Sequence, residues 1–315
     1  MQEASIGSPL LWGGFILFVL LMLALDLGVF NRKDHVVGFR EAAIWSGVWV
    51  GLSLAFNGIL FWKFGRDHGI EFLTGYLIEK SLSIDNIFVF IVIFQAFAVP
   101  AQYQHRVLYW GILSALVMRA AMIFAGVAML QRFHWLIYVF GVFLIITGVR
   151  LYLDRNKEEH PEESRVLAFV RRLVPSTNNF HGHDFFTVEN GRHVATPMFM
   201  TLLLIEISDV IFAVDSIPAI FAVTTDPFIV FTSNIFAILG LRSLFFILAG
   251  LVERFRYLKV GLAVVLVFVG TKMAIMDFFK IPALVSLGVI LATLAISVLA
   301  SFWISKREAM QERSA

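Results

Sequence analysis

The chain has 315 residues, 59% of them hydrophobic, and a formal net charge of +2. Soluble domains average about 45–50% apolar residues, so this composition, with a mean hydropathy of +0.83, is that of a membrane protein. There is no cysteine, which excludes disulfides, thiol redox chemistry and soft thiolate metal sites.

A helix needs roughly 20 apolar residues to cross about 30 Å of hydrocarbon. Nine runs meet that requirement: 10–30, 41–63, 72–97, 107–130, 134–153, 196–222, 228–251, 257–277 and 281–304. The expected fold is an all-α polytopic membrane protein. The first run lacks a preceding basic segment and is long enough to span, so it is expected to be a transmembrane helix and not a cleaved signal. Asp26 lies near its far end, where a structural and a functional role are equally consistent with the sequence.

The third run, 72–97, carries Glu79, Lys80, Ser83, Asp85 and Asn86 within otherwise apolar sequence, and the fourth carries Arg119. The polar stretch 154–195 follows the fifth run. Within it, Val166 to Val174 has the pattern of a short basic amphipathic helix, and Phe185 to Val194 reads as a hairpin turning at Asn190-Gly191. His181, His183 and Asp184 have metal-like spacing, but a solvated polar loop is the plainer reading. The sixth run, 196–222, carries Glu206, Asp209, Asp215, Ser216 and Pro218, and the seventh carries Asn234 and Arg242.

Lysine and arginine orient the chain. Seventeen fall in one set of loops, four in the opposite set, and four (Lys80, Arg119, Arg242, Lys272) within spans. By the positive-inside rule the N-terminus is expected outside and the C-terminus in the cytoplasm.

Spans three to five resemble spans six to eight. Phe133 and Phe255 each precede an aromatic by two residues (Trp135, Tyr257), a glycine by fifteen (Gly148, Gly270) and a cation by seventeen (Arg150, Lys272). The offset there is about 122. For the acids two registers stay open: pairing Asp85 with Asp215 needs an offset of 130, and pairing it with Asp209 needs 124. The first matches Glu79 with Asp209 as well. Units of three spans enter from opposite faces, which makes an inverted repeat with its site near the midplane. The expected organisation is two N-terminal spans (1–71), a first repeat (72–153), the polar loop (154–195), a second repeat (196–277), and a final span with tail (278–315).

Ionised carboxylates in hydrocarbon are costly and mark functional sites. Glu79 and Asp85 lie about 120° apart on a regular helix, as do Asp209 and Asp215. One ion could meet them all only if the helices break, so discontinuities are expected near Val214 to Pro218, where proline removes a hydrogen bond, and near Ser83 to Asn86. An all-oxygen shell suits a hard cation such as Mg²⁺, Ca²⁺ or Mn²⁺. The opposing reading is a set of structural ion pairs with Lys80, Arg119 and Arg242. For the two arginines, a counter-charge that holds the carboxylates in place is the favoured role.

The segments Glu79-Lys80-Ser81-Leu82-Ser83-Ile84-Asp85-Asn86 and Asp209-Val210-Ile211-Phe212-Ala213-Val214-Asp215-Ser216 resemble the two signature segments of the TerC family of integral membrane proteins. The run from Glu206 to Phe228, with Ile207 in it, is similar to bacterial members that respond to alkaline pH. The resemblance covers roughly residues 10 to 305. It implies a LysE-like transporter that exports Mn²⁺ across the bacterial inner membrane. It also implies a Mn²⁺ site of Glu79, Asp85, Asn86, Glu206, Asp209 and Asp215, supported by Ser83, Ser216, Lys80, Arg119 and Arg242. Mn²⁺ would be cargo, and no cofactor, nucleic-acid partner or enzymatic activity is expected. Two other readings stand beside this one. The family takes its name from tellurium resistance and some members are labelled redox modulators, which points to a membrane scaffold acting through partners. An exporter of a cationic organic solute would use the same carboxylates on an ammonium group.

Overall fold

The protein is described by a computed structural model. It covers residues 5–28, 37–133, 135–153, 174–177, 179, 182, 184–189, 191–249, 258–279 and 281–312. Ten helices are described: α1 (Pro9–Gly28), α2 (Phe39–Phe64), α3 (Arg66–Ala96), α4 (Ala101–Arg132), α5 (Leu136–Leu153), α6 (Pro197–Phe221), α7 (Pro227–Leu239), α8 (Leu241–Ala249), α9 (Leu258–Ala274) and α10 (Ala283–Glu312). Two short strands, β1 (Phe186–Glu189) and β2 (Arg192–Ala195), stand between α5 and α6. Every expected apolar run coincides with a helix, and the seventh is divided between α7 and α8. Among the described residues, five helices are long and apolar enough to cross a bilayer alone, or six if the bent α7–α8 pair is one span. Many bulky apolar side chains on α1, α2, α5 and α10 face outward, among them Leu17, Leu54, Val142 and Leu299. Such a surface is stable only against lipid.

Helix α3 lies at the centre, packed against α2, α6, α7 and α10. It pairs with α7 in a parallel sense: Gly75 faces Ser233, and Lys80 reaches Gly240. Helices α4 and α6 also run parallel, with Gly111 against Ile205 and Gly126 against Phe221. Helices α5 and α9 pack antiparallel through glycine, Gly141 against Gly270 and Gly148 against Ala263. Close backbone approach through small residues is the usual basis of helix association in lipid.

The expected break at Pro218 does not occur: α6 runs unbroken to Phe221 with Pro218 inside it. Proline removes only the bond to the Val214 carbonyl, and the helix continues through that single loss. Helix α3 is likewise continuous through Ser83 to Asn86. The break lies at Gly240, where α7 and α8 meet at 40°. A side chain at Gly240 would lie 2.8 Å from Lys80 Nζ and 3.2 Å from Trp49 Cβ. Lys80 Nζ donates to the carbonyl of Ala237 at 3.2 Å, so a cation satisfies a carbonyl in the last turn of α7, where the helix dipole favours it.

The hairpin forms as expected, Glu189 pairing with Arg192 and Phe186 with Ala195. Gly191 supplies the turn's positive φ of 76°. Thr177 N donates to Ala195 O and Ala195 N to Pro175 O, which adds the 175–177 segment beside β2. Residues 154–173, His181 and His183 lie outside the described residues.

A buried ion-pair centre between α3, α4, α6 and α7

Arg119, on α4, is the largest fully buried side chain among the described residues. Its guanidinium donates from Nε to Asp209 Oδ2 at 3.1 Å and from Nη2 to Asp209 Oδ1 at 2.8 Å. That side-on fork is the bidentate geometry in which arginine binds carboxylate best. Its Nη1 donates to Glu79 on α3 and, at 3.2 Å, to Asn234 Oδ1 on α7. Asn234 Nδ2 in turn donates to Glu79 Oε2 at 3.2 Å. Four helices thus contribute one polar side chain each to a closed network. Glu79, Asn234 and Arg119 are wholly buried, and Asp209 is 5% exposed. Two carboxylates share one guanidinium, so this trio carries a net negative charge in a low-dielectric interior.

Glu206 lies one turn before Asp209 and faces α4, where Ser114 Oγ donates to its Oε1. Its Oε2 has no hydrogen-bond partner among the described residues. A small cavity borders Asp209, bounded also by Gly111, Ala115, Phe90 and Leu241. Gly111 faces Glu206 Oε1, so the missing side chain keeps space open beside both acids.

Asp215 is placed elsewhere. It projects from α6 toward α5, where Thr147 Oγ1 donates to it at 3.2 Å. Because α6 is unbroken, Asp215 and the Glu206–Asp209 face stay on different sides of the helix. Ser83, Asn86 and Ser216 are buried, and Ser83 Oγ and Ser216 Oγ have no partner among the described residues. The side chain of Asp85 lies outside the described residues, as does that of Asp26. Arg242 lines a separate cavity with Glu41, Trp45 and Trp49. Among the described residues no three His, Asp or Glu side chains converge as a ready-made metal cage.

Sequence reasoning brought Glu79, Asp209 and Arg119 into one site but did not foresee Ser114, which carries only a generic small-polar signal. Asn234 was visible as a neutral oxygen, though not as the bridge between acid and cation.

A helical bundle with lipid-facing apolar surface and a buried network of acids is an integral, multi-pass membrane protein with a polar interior. Residues 64–309 match the Integral membrane protein TerC family. The chain belongs to the TerC family. It is 70% identical over 297 residues to the Myxococcus xanthus membrane protein STKORF319, covering 94% of this chain and 93% of that one. It is 48% identical over 316 residues to a protein of Escherichia coli strain K12 provisionally named membrane-bound redox modulator Alx, covering 98% of each. A Photorhabdus laumondii protein of the same name is 48% identical over 318 residues, covering 98% of this chain and 99% of its own. No solved structure matches the chain.

Proposed function

We propose that the protein is a secondary transporter that exports Mn²⁺ across the bacterial inner membrane, with its N-terminus outside and its C-terminus in the cytoplasm. One observation carries this reading: two buried carboxylates, Glu79 and Asp209, share a single guanidinium at the junction of four helices, with a third acid, Glu206, one turn away on α6 and a small cavity against Asp209. A purely structural ion pair needs one acid for one base. The surplus carboxylate oxygens are hard ligands of the kind Mn²⁺ takes. Asp215 serves as a further station on the path, next to α5. Carboxylates that bind the ion also take up protons, so H⁺ is the natural counter-substrate.

The repeat arrangement supports alternating access. In the register that pairs Glu79 with Asp209, Gly75 corresponds to Ile205, and with the offset of 122 Gly111 corresponds to Ser233. The contact of Gly75 with Ser233 is thereby the counterpart of that between Ile205 and Gly111. The same offset of 122 relates Gly141 to Ala263 and Gly148 to Gly270, and those four residues make the two close approaches between α5 and α9. A contact set that maps onto itself in this way is what an inverted repeat produces.

The Alx relatives bear a redox name, and a scaffold acting through partners is the competing reading. Without a cysteine, thiol exchange by this chain itself is excluded. Flux measurements in proteoliposomes separate the two. Purified protein should move Mn²⁺ in preference to Mg²⁺, Ca²⁺ and Zn²⁺, and an imposed pH gradient should accelerate it. Absence of any metal flux would overturn the transporter reading and favour the scaffold.

A further inference from the structure

We propose that Arg119 is a tethered substitute for the cargo: it fills the Glu79–Asp209 slot while the transporter is empty and must leave for the divalent ion to bind. This inference rests on the transport reading and deepens it. The oxygens that Arg119 engages are Asp209 Oδ1, Asp209 Oδ2, Asn234 Oδ1 and one oxygen of Glu79. A hard cation at this junction would need those same lone pairs, so guanidinium and metal exclude one another.

Burial gives the substitution its purpose. An empty site of bare carboxylates in a dry interior is strongly unfavourable, and a side-chain cation removes that penalty without a bound ion. Arginine suits the task because its charge is permanent and its fork matches a carboxylate. The neighbourhood also offers a destination. Glu206 lies one turn from Asp209, one of its oxygens has no partner among the described residues, and a small cavity borders Asp209 and Gly111, the glycine that faces Glu206. Glu206 adds a third carboxylate to Glu79 and Asp209, so Arg119 keeps a counter-charge within one turn of the slot while the divalent ion is bound. Return of Arg119 to the slot then drives the ion out.

The test is equilibrium binding of Mn²⁺ to purified protein in detergent, alongside flux in liposomes. Arg119→Gln removes the competitor. It should bind Mn²⁺ at least 10-fold more tightly than wild type and lose most of its flux, because release slows. Arg119→Lys retains the charge but has no fork to hold two carboxylates; it should fold and bind several-fold more tightly, which keeps the test available should Arg119→Gln fail to fold. Affinity that is unchanged or weaker in a folded Arg119 variant overturns the inference and leaves a structural clamp, with the transporter reading intact. Failure of wild type to bind or move Mn²⁺ defeats both together.

Discussion

Gly141 and Gly270 approach so closely that a Cβ added at Gly270 would lie 2.6 Å from the carbonyl oxygen of Gly141, and one added at Gly141 would lie 2.9 Å from that of Gly270. Neither neighbour is a flexible side chain that could swing aside. The α5–α9 pair must separate for any larger residue to enter. Gly270→Val should therefore destabilise the folded protein by about 2 kcal/mol, the usual scale of overpacking. Thermal unfolding in detergent is the measurement, with Gly288→Val as control, since nothing lies within 4 Å of a Cβ there.

The end of α3 gives a change in the opposite direction. Val99 N donates to Phe94 O and Ala98 N to Gln95 O, the paired bonds of a Schellman cap. That cap places Ala98 at φ 49°, the only positive φ outside glycine among the described residues. A left-handed residue with a Cβ costs about 1 kcal/mol more than glycine. Ala98→Gly should raise stability by about that amount, because the site is exposed and no packing is lost.

Asp226 ties the N-terminal segment to α7. Its carboxylate caps the helix by accepting from Phe228 N at 2.8 Å, and it also accepts from Ile6 N at 2.8 Å and Ser5 Oγ at 2.9 Å. Trp12, just inside α1, packs edge-on to Phe228. Asp226→Ala should cost about 1 kcal/mol for the cap alone and in addition speed proteolysis of the N-terminal segment. Ser5→Ala loses one hydrogen bond to Asp226 and the local one from Gly7 N, and should leave the cap intact. Equal protease sensitivity in the two variants would show that the cap and the tether are independent.

These contacts show where sequence reading succeeds and where it stops. Apolar runs of spanning length betray helices because bilayer thickness dictates them, and Gly191 betrays the hairpin because glycine fits the turn's positive φ without strain. Arg119 is legible as a counter-charge because a lone cation in hydrocarbon needs an acid. The break at Gly240 is not legible, since that glycine makes room for Lys80 and Trp49, residues far away in sequence. Pro218 misled for the complementary reason: one missing hydrogen bond is a local signal, and the surrounding helix tolerates it. The tether between Ser5 and Asp226 spans 221 residues and has no periodic signal at all.

The buried trio makes a prediction about stability that is separable from transport. Asp209→Asn leaves Arg119 balanced by Glu79 alone but removes the carboxylate that takes its two-bond fork, and losing hydrogen bonds to a charged group costs about 2 kcal/mol. The triple change Glu79→Gln, Asp209→Asn, Arg119→Met removes both signs together. It should recover most of that loss, because desolvated charges contribute little net stability when all are replaced. Thermal unfolding of the single and triple variants tests this. A triple variant no more stable than Asp209→Asn would mean that the network holds the four helices by geometry more than by charge.

Asp215 supplies the clean functional contrast. Its hydrogen-bond partner is Thr147, a neutral hydroxyl at 3.2 Å, so replacing the acid leaves no buried cation stranded. Asp215→Asn preserves the shape and can still accept from Thr147. The expected cost in stability is below about 1 kcal/mol, the scale of one neutral hydrogen bond. On the proposed ion path its effect on Mn²⁺ flux should nevertheless be a loss of tenfold or more, because an amide replaces a negatively charged oxygen. Asp209→Asn, by contrast, should lower stability and flux together. If Asp215→Asn is stable and transports at the wild-type rate, Asp215 is only a helix-packing residue and the path does not pass between α5 and α6.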